Sequence, residues 1–131
     1  MSDRYLAIKV VMMPRDLNPA QTIFGGVLLS YIDQAAAIGA RHEINRLHGR
    51  AELLVTVAMD KIEFHKPVLV GDVVSFRTAL RRLVRTSITI HVAVEAERAG
   101  QVLDVTEAEV TMVSVTRQSD GSLKPMPIRG E

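Results

Sequence analysis

The chain of 131 residues contains no cysteine and no tryptophan. Without cysteine there is no disulfide framework and no thiol nucleophile. Aromatic residues make up only 4% while hydrophobic residues reach 47%, so the core must be aliphatic. No apolar run reaches the roughly 18 uninterrupted residues that a membrane span needs, and no membrane partner is expected. The first segment, MSDRYLAIKVVMMPRD, carries an acid near its start and lacks a long apolar stretch ending in small residues. It does not read as a signal peptide, and the chain reads as cytoplasmic. Charge of one sign is also missing: the net charge is +1, which leaves no electrostatic footprint for nucleic acid. There is no G-x-S-x-G elbow, which excludes a serine hydrolase of that type. The length suits a single domain with a real core.

The most informative stretch that is present runs from Asn18 to Asp33, NPAQTIFGGVLLSYID. Ile23 to Ala40 places apolar residues on every helical face, broken mainly by Ser30, Asp33 and Gln34. A helix apolar all round is normally buried, and an ionised Asp is rarely buried without a partner. Asp33 therefore needs an explanation. Gly25-Gly26 lies about two turns earlier, where the helix should start. The first turn of a helix carries unpaired N–H groups and a positive dipole end, and glycine lets another molecule approach that backbone. Such a terminus can hold an anion or polarise a carbonyl oxygen. Gly26 and Asp33 share roughly one face but stand about 10 Å apart along the axis. If Asp33 acts on a group held at Gly26, the acid comes from a second copy of the helix.

Tyr5 to Met12 reads as a first strand and residues 13–21 as a loop marked by Pro14, Asn18 and Pro19. Ile23 to about Leu47 reads as one long helix, with Gly49 near its C-cap. Leu53–Phe64, Val73–Leu83, Thr86–Glu97 and Leu103–Val115 read as strands. The third alternates most cleanly, Ile88, Ile90, Val92 and Val94 against Ser87, Thr89, His91 and Glu95. Residues 117–131, with Gly121, Pro125 and Pro127, read as a flexible tail. An antiparallel sheet with one dry face must be covered, and one helix is available. The expected class is α+β, a sheet wrapped around a central helix, with a partner subunit covering what one sheet leaves open. His42 and His48 lack the i, i+4 spacing of a helical metal pair. His65 and His91 fall on strand ends or outer faces, so no metal is expected.

The segments MPRDLNPAQTIFGGVLLSYIDQAAAIGARH, VTVAMDKIEFHKPVLVGDVV and RTSITIHVAVEAE together resemble the hotdog-fold acyl-CoA thioester hydrolases, in correct order from about Met13 to Val115. The resemblance implies a homodimer with a continuous sheet, often assembled as a trimer of dimers. It implies an acyl-CoA substrate and no cofactor, since coenzyme A is part of that substrate. The family's catalytic Asp and Asn fall on Asp33 and Asn18, supplied by opposite subunits. Its glycine pair falls on Gly25 and Gly26, at the thioester carbonyl, beside Phe24. Arg85-Thr86-Ser87 matches a stretch near the coenzyme A moiety, and Lys66 is a further candidate for it. Relatives usually carry Gly where this chain has Gln21, which predicts a stiffer or differently shaped loop. Thr22 stands where they often have Asp or Asn.

The expected chemistry is thioester hydrolysis, with the Gly26 N–H stabilising an oxyanion and Asp33 acting as base or nucleophile. Asn18 orients the water or the thioester. Arg81, Arg82 and Arg85 in one hairpin could meet the coenzyme A phosphates. Val27, Leu28, Tyr31 and Met59 are candidates to line an acyl tunnel. A solvated hairpin is the plainer account of the arginines, a turn before Pro19 that of Asn18, and close helix–strand packing that of the glycines. Two enzyme rivals rank lower. A hydratase or dehydratase would want a His near the helix start, and none lies between Met1 and Arg41. A thioesterase with its acid before the helix would use Asp16. From another class, a non-catalytic acyl-CoA-binding or regulatory module shares the same fold.

Overall fold

The computed structural model describes residues 4–128. The chain runs β1 (Tyr5–Val11), a 3-10 turn (Pro14–Asp16), α1 (Gly25–Arg46), β2 (Leu53–Phe64), β3 (Val73–Leu83), β4 (Ser87–Arg98), β5 (Gln101–Arg117) and β6 (Leu123–Pro125). The sheet order is β1-β3-β4-β5-β2, with β6 added on β5. All pairings are antiparallel. Helix α1 packs on β1, β3, β4 and β5. The wrapped-helix architecture read from the alternation is present. No described helix is long and apolar enough to cross a membrane.

Period-2 alternation sorts the strands into two faces. Val74 and Phe76 of β3, Ile88, Ile90, Val92 and Val94 of β4, and Ala108, Val110 and Met112 of β5 join Leu28, Ile32, Ala35, Ala36, Ala40 and Ile44 of α1 in one core. Small helical residues let the sheet come close. At Gly39 an added Cβ would stand 2.3 Å from the Thr78 hydroxyl. The opposite face is polar and paired: Arg77 with Glu95 at 3.2 Å, Arg81 with Glu109 at 3.1 Å, Thr89 with Thr111 at 3.0 Å. His91 is buried there, its Nε2 2.6 Å from a Glu107 oxygen. That hydrogen bond is the largest influence on Glu107 and holds its carboxyl below the usual range, against the opposing effect of burial.

Three expectations are corrected. The helix begins at Gly25 and not Ile23, because Ile23 is held in an extended bridge to Leu17. It is not apolar all round to solvent: Gly26, Ser30, Gln34 and Ile38 form an exposed stripe at i+4 spacing. The tail folds back within the described residues. β6 pairs with Val115–Arg117, and Ile128 is fully buried at the end of α1. Residues 129–131 lie outside the described residues.

That helix end is closed tightly. His48 adopts φ 58° and donates to Asn45, while the Gly49 N–H donates to the Ile44 carbonyl at 2.8 Å. This is a Schellman turn, with His48 taking the left-handed position that glycine more often fills. Gly49 is required for space, since a Cβ there would meet the Ile128 carbonyl oxygen at 2.9 Å. β2 is the opposite case. It is an edge strand of 12 residues. It carries exposed Val57 (58%) and Phe64 (45%), an edge left ready for another strand.

Candidate active site at the start of the central helix

The loop before α1 is organised by Asn18. Its side-chain oxygen accepts from the Ala20 and Thr22 N–H groups at 2.9 and 3.1 Å, and its amide donates to the Thr22 hydroxyl at 2.8 Å. This is the local turn that Asn before Pro favours, and it spends both ends of the Asn18 amide inside the loop. Thr22 is thus the partner that closes it. Gln21 takes φ 67°, a left-handed conformation in which glycine is unstrained. Gln21 therefore carries a side chain on a backbone that glycine adopts without strain.

Two main-chain bonds then fix the start of α1: Ile23 N–H to the Val68 carbonyl at 2.8 Å, and Phe24 N–H to the Asp16 carbonyl at 3.0 Å. Asp16 acts here through its backbone. Phe24 is the N-cap and supplies no side-chain cap, and no acid occupies the first turn. The Gly25 and Gly26 N–H groups have no partner among the described residues, and the dipole end is uncompensated. An added Cβ on Gly26 would meet nothing within 4 Å. The pair thus leaves two unpaired donors, with open space beside Gly26 and the Phe64 ring beside Gly25.

Beside this terminus lies a cavity of about 260 Å³, bordered by Thr22, Ile23, Gly25 and Leu28 on one side and Phe64, Lys66 and Val68 on the other. Its second wall is the β2–β3 loop, held by an ion pair between buried Asp72 and half-buried Arg98. Arg98 Nε and Nη2 contact the two Asp72 oxygens at 3.0 and 2.8 Å, and Nη2 also donates to the Pro67 carbonyl. Asp72 in turn accepts from the Leu69 N–H at 2.9 Å. Burial pushes the Asp72 carboxyl up, but the Arg98 hydrogen bond, the Leu69 N–H and the Arg98 charge outweigh it and hold it below the usual range. The V-G-D of the sequence is therefore a loop clamp. His65 and Lys66 form a ridge between the small cavity and a basin of about 870 Å³ on the outer sheet face, where Arg4 and Arg77 face Glu95, Asp104 and Glu107.

Asp33 is half-buried on the α1 flank beside β2. Its partner is Thr56, whose hydroxyl donates to Asp33 Oδ1 at 2.5 Å. Sequence reasoning misses Thr56, because a Thr between Val55 and Val57 reads as an ordinary β-former. The one available signal is that Asp33 needs a partner.

Not every site residue expected from the sequence comes together. Asn18, Phe24, Gly25, Gly26 and Lys66 gather at the start of α1. Arg85, Thr86 and Ser87 lie at the far end of the sheet. There Arg85 accepts from the Ile128 N–H and Thr86 from the Ser114 N–H. β4 runs from that turn to Arg98 beside the cavity wall, a span of about 35 Å at roughly 3.3 Å per residue. Within one chain the two groups cannot share a ligand's reactive end. Arg81 is paired with Glu109, so the arginine cluster has one member already engaged. Of the residues suggested for an acyl tunnel, Leu28 borders the cavity, while Val27, Tyr31 and Met59 are partly buried against the core. Among the described residues, no three His, Cys, Asp or Glu are grouped to hold a metal ion.

Comparison with known proteins places this geometry. A family model described as the thioesterase superfamily matches residues 20–103. The acyl-CoA thioester hydrolase YciA of Salmonella typhimurium is 38% identical over 130 residues, covering 95% of this chain and 92% of that protein. Cj0915 of Campylobacter jejuni, a hexameric hotdog fold thioesterase, superposes with a TM-score of 0.79 at 41% identity, over 93% of this chain and 90% of that one. HI0827, a hexameric broad specificity acyl-coenzyme A thioesterase, gives a TM-score of 0.80 at 34% identity, over 100% and 85%. On family model, sequence and fold, the chain belongs to the hotdog-fold thioesterase superfamily.

Proposed function

We propose that this chain hydrolyses acyl-CoA thioesters to free fatty acid and coenzyme A. The observation that carries the reading is the uncapped start of α1, two glycine N–H groups without a partner among the described residues beside an apolar-floored cavity. The thioester carbonyl points at those groups, which stabilise the oxyanion as it forms. Asp33, steadied by Thr56, takes a proton from water or attacks directly. Water adds to the carbonyl carbon, the C–S bond breaks, and the proton ends on the departing thiolate. Asn18 shapes the loop, and the second N–H of its amide, beyond the one given to Thr22, orients the water or the thioester. No cofactor takes part.

The offset of seven positions from Gly26 to Asp33 keeps them about 10 Å apart along one helix. The acid acting at one Gly26 therefore belongs to a second copy. The free β2 edge supports how that copy is met. Antiparallel pairing of β2 with its copy sets two helices side by side in opposite directions, with Asp33 and Thr56 at the seam. It also carries Arg85, Thr86 and Ser87 of the second copy toward the first copy's helix start. The hexameric assemblies of the relatives Cj0915 and HI0827 support a trimer of such dimers. The cysteine-free composition and a coenzyme A-linked substrate support a cytoplasmic location.

A thiol-release assay over acetyl- to palmitoyl-CoA tests the reading. Wild type should release thiol, and Asp33→Asn should lose at least about 100-fold in kcat while keeping its oligomeric state by gel filtration. An Asp33→Asn variant with normal turnover would refute the assignment. Acyl-CoA that binds wild type without release would make the chain a binding module.

A further inference from the structure

We propose that Phe64 sets the size of the acyl group this chain accepts; the inference rests on the thioesterase reading and adds the residue that would select the substrate. Among the apolar side chains bordering the cavity at the start of α1, three are core residues. Ile23, Leu28 and Val68 are each at most 4% exposed and form a fixed floor. Phe64 is different. It borders the same cavity yet remains 45% exposed, a large aromatic that the core has not taken up. Its backbone is held, because Phe64 pairs with Thr106 at the end of β2 and the next N–H, of His65, donates to the Val105 carbonyl at 2.8 Å. Its ring therefore stands where the strand puts it. Ring atoms lie 3.8 and 3.9 Å from where a Cβ on Gly25 would be, so the ring lies within contact range of the helix start and forms a wall there.

The polarity of the cavity orients the ligand. His65 and Lys66 border it on the polar side, toward the basin carrying Arg4 and Arg77. The floor is aliphatic. A carbonyl held at the Gly25 and Gly26 donors would send its alkyl end over Ile23, Leu28 and Val68, with the Phe64 ring across its path. A pocket wall discriminates by excluded volume, and one methylene is worth about 10-fold or more in a closed apolar pocket. Replacing the ring by a methyl group removes the obstacle without burying a polar group.

The experiment compares kcat/KM for acetyl-, butyryl-, octanoyl- and palmitoyl-CoA in wild type, Phe64→Ala, Phe64→Leu and Phe64→Trp. The ratio of octanoyl- to butyryl-CoA should rise about 10-fold in Phe64→Ala, rise less in Phe64→Leu, and fall in Phe64→Trp. Inhibition by free coenzyme A should stay unchanged across the series. The same ordering should appear without turnover when S-alkyl-CoA thioethers of matching length are titrated by calorimetry, so an inactive wild type tells against hydrolysis and not against the wall. An unchanged chain-length profile would overturn the proposal. So would an equal loss on every substrate, which would make the cavity the pantetheine path, and so would dissociation of the oligomer in Phe64→Ala and Phe64→Leu alike, which would make Phe64 an interface residue.

Discussion

The two ends of α1 are built to opposite rules. The C-terminal end is closed: His48 and Gly49 satisfy the Asn45 and Ile44 carbonyls in a Schellman turn, β6 crosses over, and Ile128 fills the space beneath. At the N-terminal end nothing is used. Phe24 offers no cap, no acid balances the dipole, and Gly25 and Gly26 present free N–H groups beside a cavity. A protein that stabilised both ends alike would have placed Ser, Thr, Asp or Asn at the N-cap, worth about 1 kcal/mol. Forgoing that contribution at one end, while the other is closed by a Schellman turn, is what the proposed binding of a ligand at the open end requires.

The contrast can be broken first at the open end. Gly26→Val should lower kcat/KM for acyl-CoA by about 100-fold, because the side chain occupies the ligand's space. The melting temperature should barely change, since nothing in the fold lies within 4 Å of the new Cβ. Steady-state kinetics beside calorimetric melts check both halves. At the closed end the pattern should invert. Ile128→Ala empties a fully buried site and should cost about 2–4 kcal/mol, read by urea unfolding, with turnover per folded molecule unchanged.

A pH titration sharpens the comparison at the cavity's second wall. Asp72 has a folded pKa below its unfolded value, so its pair with Arg98 contributes stability above about pH 4. That contribution is lost as pH falls through the folded pKa. Urea midpoints measured from pH 6 downward should fall more steeply in wild type than in Asp72→Asn. The smallest effect is expected in the loop. Gln21→Gly relieves a left-handed side chain but frees the unfolded chain, so stability should move by about 1 kcal/mol or less.

Much of this was legible in the chain itself. The alternation in Val73–Leu83 and Thr86–Glu97 gave the dry face, and β2 was read to its observed bounds at Leu53–Phe64. Gly25, Gly26 and Asp33 stood out because glycine at a helix start and a carboxylate among apolar residues both violate local preference. The resemblance contributed Arg85-Thr86-Ser87 and the catalytic reading of Asn18, which local physics alone assigns to a turn. Other features left no local trace. Pro125, Pro127 and Gly121 suggest a loose tail, and only the space under Gly49 explains why Ile128 is drawn in. The Asp33–Thr56 contact joins residues 23 positions apart, and no periodicity encodes it.

The sequence by itself determined which faces are dry, where the helix begins within two residues, and which polar groups cannot be there for packing. Those follow from spacing and from the cost of burying charge, and both are local properties. The tertiary structure alone decided that Arg85-Thr86-Ser87 stands some 35 Å of strand from the glycines, that Asp72 and Arg98 brace the cavity, and that β2 is left as an open edge. Those depend on strand order and chain return, and long-range pairing is set by the sum of the packing rather than by any one stretch of residues.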